Sequence, residues 1–335
     1  MIITRTPLRI SFFGGGTDYP AWYRNHRGAV LSMAIDKYIY ISSRLLPPFF
    51  GYTHRIVYSK TEQINNINSI DHPSARETMR FLGCDKDNTG LEIHYSGDLP
   101  AMSGMGSSAS FTVGLLNGLS ALKGEIKPKH QLALEAIHID QNMVKENVGS
   151  QDHTAAAFGG LNKVEFGGPE QIYVNPIILS ENRLDYFQNH LLLFFTDFSR
   201  KASKVAKGWI KNTPKNEKEL KVMLTMVDEG ARILKNKNSN LDEFGKLLHE
   251  AWTIKKTLAP QITNDKIDAI YNEGRRGGAL GGKLLGAGNG GFMLLFAKPE
   301  KHKAIKKRLQ KLLCVPVGSD FLGSQIIYYS RPKED

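Results

Sequence analysis

The sequence predicts an α+β protein of two domains. Three observations carry this. Strand-like and helix-like segments follow one another without the regular alternation of βαβ units. No repeat of fixed period runs through the chain. Its 335 residues exceed the usual domain of about 100–200. The expected division is 1–185 and 186–335. With 41% hydrophobic and 23% charged residues, the composition is that of a folded chain.

The first 60 residues read mainly as strands. Tyr38–Arg44 is β-branched and aromatic, and Arg55–Tyr58 is a short partner. Leu91–Ser96 alternates and breaks at Gly97 and Pro100. A helix begins near Ser107–Ser108, with Phe111, Leu115, Leu119 and Leu122 on one face. Lys127–Pro128 introduces a second helix, from about His130 to Glu146. Leu161–Phe166 and Ile172–Val174 read as a hairpin around Gly167–Gly168. Leu191–Thr196 is a buried-type strand that opens the second domain, whose middle, about Lys201 to Leu258, is helical. Phe292–Ala297 and Gln325–Ser330 are strands flanking an amphipathic helix marked by Ile305, Leu309 and Leu312.

Lys plus Arg number 44 and Asp plus Glu 33, giving a net charge of +11. The excess sits in Arg200–Lys221 and Lys301–Lys311. Trp209 is the only aromatic among Lys201–Lys221, so these runs read as solvated faces and no nucleic-acid partner is expected. No run approaches the ~20 apolar residues of a membrane span. Pro7 and Arg9 interrupt any leader-like apolar stretch. Cys84 and Cys314 cannot build a disulfide framework, and the histidines lack zinc spacing. The expectation is a cytoplasmic protein with reduced thiols, acting on small molecules away from membranes. A homodimer is compatible with it.

Three glycine clusters stand out: Phe13–Tyr19, Ser103–Ala109 and Gly281–Gly291. Glycine lets backbone approach a ligand closely, and free amides at a helix start bind phosphate. The middle cluster has the strongest physical case. Gly104 and Gly106 free the backbone, Ser107 and Ser108 stand where a helix cap belongs, and a long helix follows. Their hydroxyls suit phosphate or a phosphate-bound Mg²⁺. Gly277–Lys283 fits GxxxxGK, but Leu284 occupies the Ser/Thr position and a strand follows, so it is no P-loop. Neither Gly286–Gly291 nor Gly104–Ala109 has the tight strand–turn–helix context of a dinucleotide fingerprint. Protein-kinase HRD and DFG signatures are missing.

In order and spacing, the clusters resemble the three motifs of the GHMP small-molecule kinases, named for galactokinase, homoserine kinase, mevalonate kinase and phosphomevalonate kinase. Pro7–Ile10 with Gly16–Tyr19 resembles the first motif. PAMSGMGSSA at 100–109 resembles the second, with Met105 in the usual Leu position, and KLLGAGNGGF at 283–292 resembles the third. GGGTDYP together with SQDHTAAAFGG at 150–160 is most similar to the branch that phosphorylates D-glycero-D-manno-heptose 7-phosphate at the anomeric oxygen, a step toward GDP-heptose; the alternative is another sugar kinase of the family, of the fucose or galactose type, acting on an unphosphorylated sugar.

The resemblance implies a two-domain kinase fold: an N-terminal ribosomal-protein-like domain, a C-terminal ferredoxin-like domain and a site in the cleft between them. It implies ATP and Mg²⁺. Ser103, Gly104, Met105, Gly106, Ser107 and Ser108 would cradle the nucleotide, with Lys60 nearby. Ser108 and Asp140 would contact Mg²⁺. Asp140 falls on an apolar helical face, so a buried salt bridge or local hydrogen bond is the competing reading. Asp152 would accept the hydroxyl proton, assisted by Arg9. Gly15, Gly16, Thr17, Asp18, Gln151 and Gly288 would line the sugar site. Arg200 leads the candidates for a sugar phosphate, with Lys283 and Arg276 after it.

Overall fold

The computed structural model describes residues 1–86, 90–167, 171–196 and 213–330. The chain opens with β1 (Ile2–Phe13). A short helix α1 (Pro20–Tyr23) leads into β2 (Gly28–Leu45). These two strands pair antiparallel along nearly their full lengths, with register slips at Pro7/Leu8 and Ser11/Phe13. At the first slip Asp36 and Lys37 stand unopposed in β2, which hid from the sequence that Tyr38–Arg44 is only the far half of an 18-residue strand. Then follow β3 (His54–Val57), β4 (Thr61–Ile64), α2 (Pro73–Phe81), β5 (Leu91–Gly97) and α3 (Ser107–Leu122).

α4 (Lys129–His138) is shorter than expected. It opens into a π turn, Ile139–Met143, in which Val144 N donates to Ile139 O at 2.8 Å. α5 (Gln151–Phe158), β6 (Leu161–Phe166) and β7 (Ile172–Pro176) complete the first half, and α6 (Glu181–Gln188) leads out of it. The expected hairpin is the β6–β7 pair, although Gly168 lies outside the described residues.

The second half holds β8 (Leu191–Phe195), α7 (Glu217–Lys235), α8 (Asp242–Thr257), α9 (Asp265–Arg276), β9 (Gly281–Leu284), β10 (Phe292–Phe296), α10 (His302–Arg308), β11 (Cys314–Val315) and β12 (Gln325–Tyr329). Lys201–Asn212, expected to be helical, lies outside the described residues.

An eight-stranded sheet runs β12-β1-β2-β5-β3-β4, with β6 also on β2 and β7 on β6. Among the described residues only β3 and β5 pair parallel. A four-stranded antiparallel sheet runs β11-β8-β10-β9. Numbered within that unit the strand order is 4-1-3-2, the ferredoxin-like arrangement. The two sheets do not divide the chain into two halves. The expected boundary at 185/186 falls inside α6, and β12 crosses back to pair with β1.

Burial explains these choices. α3 is buried along most of its length and lies on β1 and β2. At Gly114 an added Cβ would sit 2.7 Å from Thr6 Oγ1, so only glycine allows the helix that close to the sheet. The sheets share one core. Phe12 packs edge-on to Phe187 and Phe244 at 5.5 and 5.4 Å, and Phe187 and Phe244 both pack on Phe296 of the second sheet.

β12 covers only the first part of β1, Ile2–Arg5. Past it, the edge of β1 is taken by other groups. Arg9 N donates to Met105 O at 3.1 Å, and Lys283 Nζ donates to Phe12 O at 2.9 Å. The glycine loop and the second sheet therefore meet on the same open edge.

Candidate active site

Arg9 is the centre of that meeting point and is buried. Its Nε and Nη2 donate to the Asp152 carboxylate oxygens at 2.7 and 2.8 Å, and its Nη1 donates to Gly104 O at 2.8 Å. One guanidinium thus ties three predicted positions together in the fork geometry that arginine alone provides. Asp152 lies in the first turn of α5, where a negative charge is favoured.

Above this pair, Gly104 and Gly106 both have positive φ, 81° and 82°. A Cβ on Gly106 would lie 3.4 Å from the Asp152 carboxyl and enter the space above it. α3 begins directly after Gly106, so its first amides face a cavity of about 640 Å³ that Arg9, Gly104, Ser107, Ser108 and Asp152 also line.

Asp18 is buried in the same cavity. Its Oδ1 accepts from Gly16 N at 2.8 Å, while Oδ2 has no hydrogen-bond partner among the described residues. Burial, with the Asp152 charge nearby, raises its pKa from 3.8 to about 6. Gly149 is required beside it, because a Cβ there would fall 1.9 Å from Asp18 Oδ2. Gln151 Oε1 and Ser11 Oγ, which line the same cavity, are also buried and unpartnered among the described residues. Such groups can bond a polar ligand or water.

Asp140 sits in the π turn and is buried. Oδ1 accepts from Ser74 Oγ at 3.0 Å and Oδ2 pairs with His153 Nε2 at 2.8 Å, with Thr112 Oγ1 at 3.0 Å from both. These are the local hydrogen bonds of the competing reading, and Asp140 also lines the cavity, where a water-mediated Mg²⁺ contact stays open to it.

Lys283 is buried and lines the cavity. Beside it stands Lys255, which sequence reasoning missed. Lys255 Nζ donates to Gly286 O at 2.6 Å. Burial lowers its pKa to about 8, and burial lowers that of Lys283 well below the usual value. A signal was present. Phe244, Leu248, Ala251, Trp252 and Lys255 share one face of α8, so this lysine ends an apolar stripe.

Several expected contacts fall elsewhere. Lys60 is exposed, pairs with Asp71 and does not line the cavity, although its neighbours Tyr58 and Ser59 do. Thr17 faces inward and bonds Gly14 O and Ala29 O at 2.9 and 2.8 Å, so it braces the loop. Met105 and Ser103 are buried beneath the loop and do not reach the cavity. At Gly288 a Cβ would strike Ile262 Cα at 2.7 Å, which makes the glycine a packing requirement. Arg276 is a surface residue paired with Glu273. Arg200 lies outside the described residues.

The comparisons with known proteins bear on this arrangement. The GHMP kinases N terminal domain matches residues 74–160, and the GHMP kinases C terminal matches 233–313, together about half the chain. A D-glycero-alpha-D-manno-heptose 7-phosphate kinase of Campylobacter jejuni is 26% identical over 92% of this chain and 93% of its own. A galactokinase of Pyrococcus furiosus is 25% identical over 91% of each. The crystal structure of a D-glycero-D-manno-heptose 1-phosphate kinase from Bacteroides thetaiotaomicron superposes with a TM-score of 0.81 at 19% identity, covering 98% of this chain and 100% of that one. With the glycine loop, the Arg9–Asp152 pair and the two-sheet cleft in place, the chain belongs to the GHMP kinases and is a sugar kinase of that family.

Proposed function

We propose that the protein transfers the γ-phosphoryl group of ATP to the anomeric hydroxyl of D-glycero-D-manno-heptose 7-phosphate, giving the 1,7-bisphosphate. The observation that carries the chemistry is the Arg9–Asp152 pair beneath the Gly104–Gly106 loop, at the start of α3. The heptose kinase of Campylobacter jejuni supports the choice of acceptor. So do the two buried lysines in the cavity, which suit an anionic substrate better than a neutral sugar.

The amides at the start of α3 and the Ser107 and Ser108 hydroxyls hold the nucleotide phosphates. Asp18 and the unpartnered Gln151 and Ser11 side chains orient the sugar. The acceptor oxygen forms its bond to the γ-phosphorus as the bond to the β–γ bridging oxygen breaks, and ADP departs. Asp152 takes the hydroxyl proton on a lone pair that Arg9 does not use. Arg9 keeps that carboxylate in place and offsets charge on the transferring group.

Among the described residues no cluster of three or more His, Cys, Asp or Glu forms a metal cage. The donor set still fits Mg²⁺, which takes few protein ligands and relies on substrate phosphates and waters. Ser108 and Asp140 would hold it, Asp140 through water because Ser74, Thr112 and His153 already occupy its oxygens. Bound there, Mg²⁺ would neutralise charge on the phosphates.

The test is ADP release with ATP and Mg²⁺ across heptose 7-phosphate, mannose 6-phosphate, mannose, galactose and fucose, with Asp152→Asn as control. Turnover on the heptose phosphate that vanishes in the variant supports acceptor and base together. Turnover confined to a free sugar rejects the phosphorylated acceptor and leaves a galactokinase- or fucokinase-like activity.

A further inference from the structure

Two lysines sit inside the cavity with no acidic side chain bonded to either among the described residues. Lys255 reaches it from the last turn of α8, and Lys283 from β9. Both are less than a tenth exposed. Their hydrogen-bond partners among the described residues are main-chain carbonyls: Gly286 O at 2.6 Å and Leu284 O at 3.4 Å for Lys255, and Phe12 O at 2.9 Å for Lys283. An ammonium group has three donors, so each lysine keeps donors that carbonyls do not fill. Burying two like charges is costly; the Asp18 carboxyl in the same cavity acts on both from a distance, Arg9 opposes it, and an anionic ligand would offset the remaining cost. The depressed pKa values of both agree with the burial.

The lysines bracket a defined part of the cavity. Phe12, which anchors Lys283, follows Ser11 and precedes the Gly14–Asp18 loop. Ser11 Oγ is buried and unpartnered among the described residues. A Cβ placed on Gly15 would meet Ser11 Oγ and Gln151 Nε2, each at 3.6 Å, so both side chains turn toward that glycine. Ser11, Gln151 and Asp18 line this side of the cavity, whereas Gly286, the carbonyl partner of Lys255, packs against Gly104 of the glycine loop.

We infer that Lys255 and Lys283 form an anion subsite that receives a phosphate monoester on the acceptor. The inference rests on the sugar-kinase reading above and names what selects a phosphorylated sugar. It also assigns a binding role to Lys255, a position that no motif marks.

The experiment compares wild type with Lys255→Met and Lys283→Met on each phosphorylated sugar and its unphosphorylated parent, with the KM for ATP measured in parallel. The expected result is a fall of about tenfold or more in the ratio of kcat/KM for phosphorylated over free acceptor. Lys255→Arg, which keeps the charge, restores most of the ratio and substitutes if a methionine variant does not fold. An unchanged ratio overturns the subsite. A rise in KM for ATP with an unchanged ratio also overturns it and moves the lysines to the nucleotide. If the wild type phosphorylates no sugar, the acceptor reading fails by itself. Calorimetry with inorganic phosphate then decides the subsite: binding to wild type that both methionine variants lose upholds it, and equal or absent binding rejects it.

Discussion

Replacing Arg9 by Met separates the scaffolding role of this residue from its role in the reaction. The substitution removes two charge-assisted hydrogen bonds to Asp152 and one to Gly104 O. Breaking a fully buried pair costs about 3–5 kcal/mol. Here the Asp152 side chain is 26% exposed against 4% for Arg9, so water recovers part of the loss. About 2–3 kcal/mol is expected, or a fall in Tm of roughly 3–4 °C for a chain of this size. The effect on turnover is separate. A preorganised cation aimed at a transferring phosphoryl group is worth about 10²–10³ in kcat. The assay is kcat with saturating ATP and acceptor at a temperature where thermal scans show the variant folded. A kcat within about threefold of wild type, accompanied by the expected loss in Tm, would refute the catalytic assignment and leave Arg9 a structural clamp.

Asp152→Asn keeps the shape of the site and one acceptor oxygen but removes the proton acceptor. It should lower kcat by about 10²–10⁴ with little change in KM for ATP, read by steady-state kinetics. Asp18 is stabilised in its neutral form, because burial lifts its pKa from 3.8 to about 6. The folded chain binds that proton more tightly than the unfolded chain, so ionisation removes stability as pH rises from about 4 to about 6. Asp18→Asn should therefore gain on wild type across that interval, by about 3 kcal/mol at neutral pH, in urea melts at several pH values. A pH-independent difference would show that Asp18 ionises normally. Gly106→Ala places a Cβ 3.4 Å from the Asp152 carboxyl at a φ of 82°. The expected outcome is about 1–2 kcal/mol of backbone strain and at least a tenfold rise in KM for ATP, with binding of the acceptor much less affected in titrations without nucleotide.

The parts of the site that are contiguous in the chain are legible in the amino-acid sequence. The Gly104–Ser108 loop and helix set their geometry within a few residues, whereas Arg9 and Asp152, 143 residues apart, are legible through the resemblance of their surrounding motifs to the GHMP kinases. The parts built by distant segments are not legible in this way. Lys255 looks like any other lysine of a charged helix unless the Phe244–Trp252 stripe is known to run toward the cavity. Ser74, Thr112 and His153 converge on Asp140 from three helices, which no spacing rule encodes. Thr17 and Gly288 carry motif chemistry but serve packing, a distinction that depends on which backbone lies against them. In the fold, strand existence is legible and strand extent is not. The polar pair Asp36–Lys37 breaks the hydrophobic pattern of β2 at the slip where the strand tolerates it.

The pairing of β12 with β1 carries a consequence for biosynthesis. Arg5 and Gln325 join across the sheet although 320 residues separate them. At roughly 5–20 residues per second, β1 emerges from the ribosome about 15–60 s before its outer neighbour exists. Through that interval its Ile2–Arg5 edge is an open template for pairing with other chains. The threonines and arginine of the ITRT segment make it a poor one, since they intersperse polar groups along the edge. Slower translation or a C-terminal nonsense mutation would lengthen or perpetuate that exposure. The nascent chain would then depend on chaperones at its amino terminus for reasons that lie at its carboxyl terminus.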